Sequence, residues 1–278
     1  GGGFPRFRSV DRFDSFAYAM TGHGGGCKIV AGKLRLQNIG TIRVRWHRAI
    51  PEGAVIKQAI IKRKAGKWYV SFALEMPGTI NCNVPTGAVG IDLGLNAFVK
   101  TSDGETLGDS KIMRRKLKEL RRQQRALSRC SRGSSRRKKV KFVVTKTHAK
   151  IANTRRDTYF KVADQLVKRY GFIAAENLNV KGMLKNHRLA RSIADAGWSQ
   201  FIGILTHKAA CAGVTVQLVD PRNTSQQCSQ CGQIVRKSLA VRVHRCDCGC
   251  VLDRDVNAAL NVLARTRPRF ANVEVFLH

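Results

Sequence analysis

The chain has 278 residues, of which 51 are lysine or arginine and 18 are aspartate or glutamate, and its formal net charge is +33. Such an excess of one sign repels itself unless a polyanion neutralises it, so nucleic acid is the expected partner. No apolar run approaches the ~20 residues of a membrane-spanning helix, and the first residues, GGGFPRFRSV, lack the apolar segment of a secretory signal. We therefore expect no membrane partner.

The first part of the chain is predicted to be a small β module with a barrel-like form. Residues 27–76 read as successive strands separated by Gly, Asn and Pro. Residues 41–46 alternate between two faces, and residues 60–71 look like a hairpin that turns at Ala65 and Gly66. Lysine and arginine recur on one face, which is compatible with a phosphate-binding surface and equally with a solvated outer face.

A second domain is predicted to begin after a break at residues 85–87. Residues 88–94 read as a buried strand containing an acid and a glycine near its end, and residues 97–100 as its hairpin partner. From residue 111 to 169 the pattern is helical and strongly basic, with an interruption at 131–135 that indicates two long antiparallel helices. Like charges at helical spacing are destabilising unless they are neutralised, so this pair is predicted to bind a nucleic-acid backbone.

The remaining elements alternate between strand and helix. Residues 171–176 form a short apolar strand closed by an acid, and residues 192–212 are predicted as one amphipathic helix. A strand at 214–219 and a final helix at 255–265 follow. This interleaving predicts an α/β architecture.

Three acids on separate elements form the candidate active site. Asp92 and Glu176 lie at the ends of apolar strands, and Asp255 lies at the start of the last helix. An ionised carboxylate in an apolar setting is costly unless it is paired or ligates a cation. Two Mg²⁺ ions ~4 Å apart supply the nucleophile and the charge neutralisation that phosphodiester hydrolysis needs. Asp253, two residues before Asp255, is the other candidate for the third acid, and its alternative role is to cap the last helix.

A cysteine-rich segment before the last helix predicts a structural zinc site. The proposed ligands are four thiolates from two turns: Cys228, Cys231, Cys246 and Cys248. The second turn has C-x-C spacing where C-x-x-C is usual, so Cys250 or His244 stays open as a replacement for Cys246. A polar segment this short folds poorly without metal, which argues against a cluster of free or redox-active cysteines.

Four strings in this order resemble TnpB, the OrfB protein of bacterial insertion sequences, a family regarded as ancestral to type V CRISPR effectors. They are GIDLGL at 90–95, AENLNV at 175–180, DPRNTSQ at 220–226 and DRDVNAA at 253–259. The similarity runs from about residue 4 to about residue 265. The resemblance implies an N-terminally truncated member, because full-length members have a longer region before the segment FPRF. The shortened C-x-C turn is a second departure from the family's pattern.

The resemblance implies an RNase H-like (RuvC) α/β domain with a basic helical insertion and a zinc ribbon, preceded by a partial wedge, or oligonucleotide-binding, β-barrel. The expected boundaries are 1–84 for the wedge, 85–223 for the RuvC core with its helical pair at 111–169, 224–252 for the ribbon and 253–278 for the last RuvC segment and tail.

The implied activity is RNA-guided cleavage of DNA, with a guide RNA and target DNA as partners. By motif matching, the catalytic carboxylates fall on Asp92, Glu176 and Asp255 and bind two Mg²⁺ ions. The same matching gives four ligands to one structural Zn²⁺: Cys228, Cys231, Cys246 and Cys248. A cytoplasmic, nucleoid-associated location in a bacterium is expected, and the oligomeric state is not predicted.

Two other function classes compete with this reading. A cleavage-inactive protein that binds guide RNA and DNA as a repressor, or a remnant, would need no complete triad, whereas all three acids are present. A transposase that joins DNA ends through a tyrosine would need a His-x-His metal pair, and none of the seven histidines has that spacing.

Overall fold

The structure is a computed structural model that describes residues 13–19, 26–76, 83–109, 112–187, 189–238 and 241–266. The chain divides into two compact units, unit 1 (Gly1–Thr79) and unit 2 (Ile80–His278). The division lies a few residues before the predicted boundary at 84/85. Within the described ranges, no helix is both long enough and apolar enough to cross a bilayer.

Unit 1 contains two three-stranded antiparallel sheets. The strands are β1 (Ser15–Ala19), β2 (Cys27–Val30), β3 (Lys33–Leu36), β4 (Gly40–Arg43), β5 (Val55–Lys64) and β6 (Lys67–Glu75). The sheet orders are β1-β5-β6 and β2-β3-β4. Both sheets contribute to one apolar cluster, to which β2 and β3 bring Cys27, Leu34 and Leu36, and β5 brings Ala59 and Ile61.

The predicted barrel is not formed by the described strands. A barrel closes only when every edge strand is paired, whereas β1 and β6 end one sheet and β2 and β4 end the other. The predicted strand at 41–46 also ends early, at Arg43. The predicted hairpin turn is confirmed: Ala65 and Gly66 have φ values of 50° and 79°, as a type I′ turn requires.

Unit 2 is built on a mixed five-stranded sheet. Its strands are β7 (Ala88–Asp92), β8 (Ala97–Thr101), β9 (Thr106–Asp109), β10 (Phe172–Glu176) and β11 (Thr215–Val219), in the order β11-β10-β7-β8-β9. Strands β7, β10 and β11 are parallel, and β8 and β9 continue the sheet antiparallel. The predicted strands and the β7–β8 hairpin are confirmed.

The helices and the last two strands complete unit 2. They are α1 (Ile112–Ser128), α2 (Ser135–Arg169), α3 (Val180–Met183), α4 (Ala190–Ala196), α5 (Trp198–Cys211), β12 (Val243–Arg245), β13 (Val251–Asp253) and α6 (Arg254–Ala264). The predicted antiparallel pair is confirmed, since Leu120 of α1 packs with Val144 and Ile151 of α2.

The single helix predicted at 192–212 is wrong, because the chain breaks at Gly197 between α4 and α5. Gly197 has a φ of 60°, in the left-handed region that favours glycine. A Cβ at this position would lie 2.4 Å from the Tyr159 hydroxyl. That hydroxyl donates a hydrogen bond to the carbonyl of Ala196, so α2 holds the break in place.

The two faces of the sheet are covered by different helices. On one face Phe172 and Ala174 of β10 pack with Val262 of α6. On the other face Ile173 and Ala175 join a larger cluster with residues of α2, α4 and α5. Because side chains alternate along a strand, Asp92 and Glu176 belong to the face that α6 covers.

Candidate carboxylate and cysteine sites

Strand register brings the first two acids together. Strands β7 and β10 are parallel neighbours in which Gly90 pairs with Ala174 and Ile91 pairs with Ala175. One step further, Asp92 and Glu176 lie side by side at the carboxyl ends of their strands. Neighbouring strands are about 4.8 Å apart, and side chains in register point to the same face. The sequence-predicted acids Asp92 and Glu176 are therefore adjacent.

A close contact between α6 and β7 brings in the third acid. A Cβ at Gly90 would lie 2.0 Å from the carbonyl oxygen of Ala259, so only glycine lets the helix come this near. Asp255 lies one helical turn before Ala259, and Asp92 lies two residues after Gly90. Both acids consequently occupy the same end of this helix–strand contact.

Burial and mutual repulsion govern the ionisation of the carboxylates. Burial raises the pKa of Asp92 well above its usual range, and the charges of Glu176 and Asp255 raise it further, against opposing contributions from Arg254 and from the Leu93 N–H. Burial also raises the pKa of Glu176. Strand register and the contact of α6 with Gly90 agree with these charge effects in placing Asp92 near both other acids, where a bound cation would oppose protonation.

Glu176 is held by a loop that comes from the cysteine segment. The buried Thr224 hydroxyl donates a hydrogen bond to Oε1 of Glu176 and thereby lowers the raised pKa of that acid. Two asparagines of α6 fix the loop: Asn261 donates to the carbonyls of Thr224 and Gln227, at 2.9 and 2.6 Å, and Asn257 donates to Gln227. None of these residues has a role predicted from the sequence, although Thr224 lies in one of the strings that carried the resemblance.

Asp255 and its rival Asp253 have different contacts. The Asp253 side chain accepts hydrogen bonds from the backbone N–H groups of Asp255 and Val256, so it caps α6. Oδ1 of Asp255 accepts bonds from the Arg254 guanidinium at 3.0 Å, and Arg242 lies 3.6 Å from Oδ2. Asp253 therefore caps the helix, as the alternative role predicted for it required.

The three carboxylates do not form a closed cage for a single ion. Within the described ranges, the group of acids, histidines or cysteines whose ligand atoms are close enough to surround one ion consists of four cysteine thiols and includes none of these acids. The carboxylate site is thus an open group of acids, each with a neighbouring donor or cation.

The four predicted zinc ligands converge. The Sγ atoms of Cys228, Cys231, Cys246 and Cys248 all lie within 4.8 Å of one another. Cys228 and Cys248 are 3.7 Å apart, and Cys231 and Cys246 are 3.5 Å apart. Thiolates at ~2.3 Å from a tetrahedral Zn²⁺ would be about 3.8 Å apart, so the geometry of the cluster fits this ion.

The short C-x-C spacing of the second turn left Cys250 and His244 open as alternative zinc ligands. In that turn Gly249 has a φ of 88° and its N–H bonds to the carbonyl of Cys246, while the Cys246 N–H bonds to the carbonyl of Cys250. Cys250 therefore closes the turn through its backbone. His244 is fully buried and its Nδ1 contacts Lys237. Both residues lie outside the group of four converging thiols.

The thiols differ strongly in acidity. Burial favours the neutral form of Cys228, but backbone N–H groups of Cys231 and Gln230 bond to its sulfur and lower its pKa to about 5. At Cys248 a bond from the Cys250 N–H lowers the pKa, but desolvation and the neighbouring thiols outweigh it and raise the pKa to about 12. Four thiolates this close would repel one another unless a cation were bound between them.

Two family models match separate parts of the chain. The model "Probable transposase", OrfB_IS605, matches residues 71–187. The model "Cas12f1-like, TNB domain" matches residues 198–262, which include the cysteine cluster and most of α6.

Full-length relatives extend these matches. The chain is 40% identical over 225 residues to the "Putative RNA-guided DNA endonuclease" of Streptomyces pristinaespiralis, covering 80% of this chain and 56% of that protein. It is 29% identical over 211 residues to "TnpB-like protein L79" of Acanthamoeba polyphaga mimivirus, covering 70% of this chain and 40% of that protein. It is 31% identical over 280 residues to the "Putative RNA-guided DNA endonuclease InsQ" of Escherichia coli K12, covering 94% and 68%. The chain belongs to the TnpB (OrfB) family.

Membership of the TnpB family confirms the resemblance carried by the four sequence strings. The chain spans only 56% and 68% of the lengths of the two endonuclease relatives. Among solved structures, the "Cryo-EM structure of the Cas12f1-sgRNA-target DNA complex" matches with a TM-score of 0.55 and 18% identity, over 75% of this chain and 45% of that one. At this identity the match shows a shared fold.

Proposed function

We propose that this protein is an RNA-guided DNA endonuclease whose unit 2 is an RNase H-like RuvC nuclease domain with a zinc-ribbon insertion. A guide RNA would pair with one strand of the target DNA, so that base pairing reads the sequence and the protein binds the backbone. The observation that carries the proposal is the shared electrostatic site of Asp92, Glu176 and Asp255 in a chain of the TnpB family.

The acids would hold two Mg²⁺ ions, which supply an activated water and neutralise charge on the phosphate. An open group of carboxylates suits two ions better than a closed cage for one, because each ion keeps positions for water and substrate. The residues of this chain hold the acids in place: the register of β7 and β10 positions Asp92 and Glu176, the contact of α6 with Gly90 positions Asp255, and Thr224 orients Glu176.

The cysteine cluster would bind one structural Zn²⁺ through Cys228, Cys231, Cys246 and Cys248. Support comes from the convergence of the four sulfur atoms and from the backbone N–H bonds to Cys228. With four thiolates around the ion no position is open for catalysis, so the metal stabilises the fold of the segment.

Unit 1 and the α1–α2 pair would supply much of the nucleic-acid surface. We infer the guide RNA and the target DNA from the relatives, which are named as RNA-guided DNA endonucleases. The competing function, a cleavage-inactive repressor that binds guide RNA and DNA, shares these partners and differs only in the chemistry of the carboxylates.

Asp92→Ala tests the proposal. The protein is purified with its copurifying RNA, that RNA is sequenced, and a plasmid carrying the complementary target is added with Mg²⁺. We expect cleavage to fall by more than about a hundredfold, since even residues that only support metal ligands typically account for 10- to 100-fold. RNA binding should be retained. The matched control is Asp157→Ala, an exposed acid that pairs with Lys161.

Two results would contradict the nuclease proposal. Undiminished cutting by Asp92→Ala would remove the carboxylates from the chemistry. Absence of cleavage by the unmodified protein, with target binding retained, would favour the repressor.

A further inference from the structure

A cavity that contains none of the three carboxylates lies at the base of the α1–α2 hairpin. Its volume is about 550 Å³, within the usual ~300–1,000 Å³ of ligand pockets. Its walls come from α1, α2, α4 and the residues after β7. Phe98 and Tyr159 in its lining belong to the core cluster on the face of the sheet opposite α6, so the cavity is separate from the carboxylate site.

The floor of the cavity is apolar and built in advance. Phe98 and Tyr159 stack with their ring centroids 5.0 Å apart, and Leu95, Leu117 and Ile151 complete the apolar lining. The hydrogen bond from Tyr159 to Ala196 fixes α4 against α2 and so sets the width of the cavity. A flat apolar group could be buried here without rearranging the core.

The rim of the cavity is cationic. Positive side chains come from three helices: Lys116, Lys118 and Arg121 on α1, Arg155 on α2 and Arg191 on α4. The acid in the lining, Asp195, lies 3.6 Å from Arg155 and offsets only part of this charge. Desolvation and then the neighbouring ammonium group of Lys150 lower the pKa of Lys116, while Glu119 opposes them. An anion at the rim would relieve this repulsion.

An apolar floor below a cationic rim matches the chemistry of a nucleotide, which joins a flat base to a phosphate. The basic residues continue beyond the cavity along both helices, through Arg122 and Arg125 on α1 and Lys146 on α2. A free mononucleotide would leave these cations unused, whereas the neighbouring phosphates of a strand would meet them. A base inside a duplex is stacked and paired and cannot enter such a cavity.

We propose that this cavity binds one unpaired nucleotide of a single-stranded nucleic acid, with the base on the apolar floor and its phosphate at the cationic rim. The site adds a contact to the proposed function and does not depend on cleavage. An RNA strand and a displaced DNA strand offer the same base-and-phosphate chemistry, so the test includes both.

Ser192→Trp fills the cavity without changing any charge. Ser192 is exposed on the wall formed by α4. The full chain, freed of copurifying nucleic acid at high salt and kept without added Mg²⁺, is titrated with fluorescent oligouridylate, oligothymidylate and a duplex, each of about 20 nucleotides. We expect the Kd for at least one single strand to rise about tenfold, since a buried base contact is typically worth about that factor. Duplex affinity should change less than twofold.

Gln200→Trp is the matched control, because Gln200 is an exposed helical residue outside the cavity. It should bind every probe as the unmodified protein does. A loss confined to the RNA, to the DNA or shared by both supports the site and names its strand. The proposal is overturned if Ser192→Trp binds both single strands normally, if duplex affinity falls by the same factor, or if the control is equally impaired.

Two double variants that remove charge provide a second test in case the tryptophan variant misfolds. Arg121→Ala with Arg191→Ala removes two cations from the rim, and Lys138→Ala with Lys139→Ala removes two exposed cations from the first turn of α2. Both pairs weaken general attraction to a polyanion, but only the first should also reduce single-strand binding more than duplex binding. Equal losses from both pairs on every probe would reduce the cavity to a general basic surface.

Discussion

The carboxylate site and the cysteine cluster are organised in opposite ways. The four thiols come from one short segment, and two turns with glycines in positive φ bring them together. The three acids come from β7, β10 and the start of α6, which lie far apart in the chain. The cysteine cluster depends on local turns and, by the proposal above, on a bound zinc ion, whereas the carboxylate site depends on sheet register and on the packing of one helix. A substitution that disrupts one of these sites should therefore not disrupt the other in the same way.

Removal of the metal from the cysteine cluster should have the largest effect. Cys228→Ser is expected to abolish binding of about one zinc equivalent and to open residues 224–252 to protease, since structural zinc stabilises small domains by about 10 kcal/mol or more. Metal analysis and limited proteolysis measure both effects. Cys250→Ser is the control, because Cys250 lies beside the four ligands without joining them. Zinc lost from Cys250→Ser, or kept by Cys228→Ser, would contradict the ligand assignment.

Gly90→Val should disrupt the carboxylate site alone. The new side chain would meet the Ala259 carbonyl and push α6 away from β7. Overpacking of this kind costs about 1–3 kcal/mol or more, and the displacement of Asp255 should abolish Mg²⁺-dependent cleavage while zinc content stays normal. Urea unfolding and metal analysis follow the two effects. Gly203→Ala on α5 has open space around its Cβ and should be neutral or slightly stabilising.

Asp92→Asn should stabilise the metal-free protein. Burial and two neighbouring acids raise the pKa of Asp92 in the folded state, so its ionised form opposes folding at neutral pH. The free energy of unfolding of the variant should be higher by about 1–3 kcal/mol without Mg²⁺. As the pH falls below this raised pKa, the folded carboxyl group binds a proton and the difference between the two proteins shrinks, and it disappears once the pH is below the ordinary aspartate pKa of the unfolded chain. A difference that is independent of pH, or a less stable variant, would refute this origin.

Thr224→Val should have the smallest effect of the four, and it probes the hydrogen bond between the cysteine segment and Glu176. Loss of the hydrogen bond to Glu176 is expected to weaken Mn²⁺ or Mg²⁺ binding about tenfold, the lower end of the range for residues that support metal ligands. Calorimetric titration measures metal binding independently of cleavage. Thr224→Ser keeps the hydroxyl and should restore binding to within about twofold. Equal metal affinity in Thr224→Val and the unmodified protein would show that this contact positions nothing.

Several elements of the fold were predictable because their signals are local. The apolar strands ending at Asp92 and Glu176, the glycine turn at residues 65–66 and the two basic helices all appear as predicted. The break at Gly197 was not predictable, since glycine also occurs inside helices, and the left-handed φ and the nearby Tyr159 hydroxyl that disfavour a side chain there are set by tertiary packing. The described strands of unit 1 form two sheets and do not close into a barrel, and the sequence could not decide this because closure depends on the pairing of edge strands that lie far apart in sequence.

The surroundings of the acids show the same limit. Arg254 is the chain neighbour of Asp255, so their contact is local. Thr224 lies 48 residues from Glu176, and nothing in its own spacing identifies that acid as its partner. The contact of Thr224 exists because the asparagines of α6 hold the loop at residues 220–229 against the carboxyl end of the sheet. Packing between distant segments selects this partner.

The sequence by itself determined the strong positive charge, the strands that carry the acids, the spacing of the thiols and the family resemblance, because charge, period-two alternation and short turns are properties of neighbouring residues. The tertiary structure decided that Asp253 caps α6 while Asp255 shares the site of Asp92 and Glu176, and that Cys250 and His244 stay outside the thiol group. It also created the cavity beneath the helical hairpin. These outcomes depend on which surfaces pack together, and packing joins residues that the sequence keeps far apart.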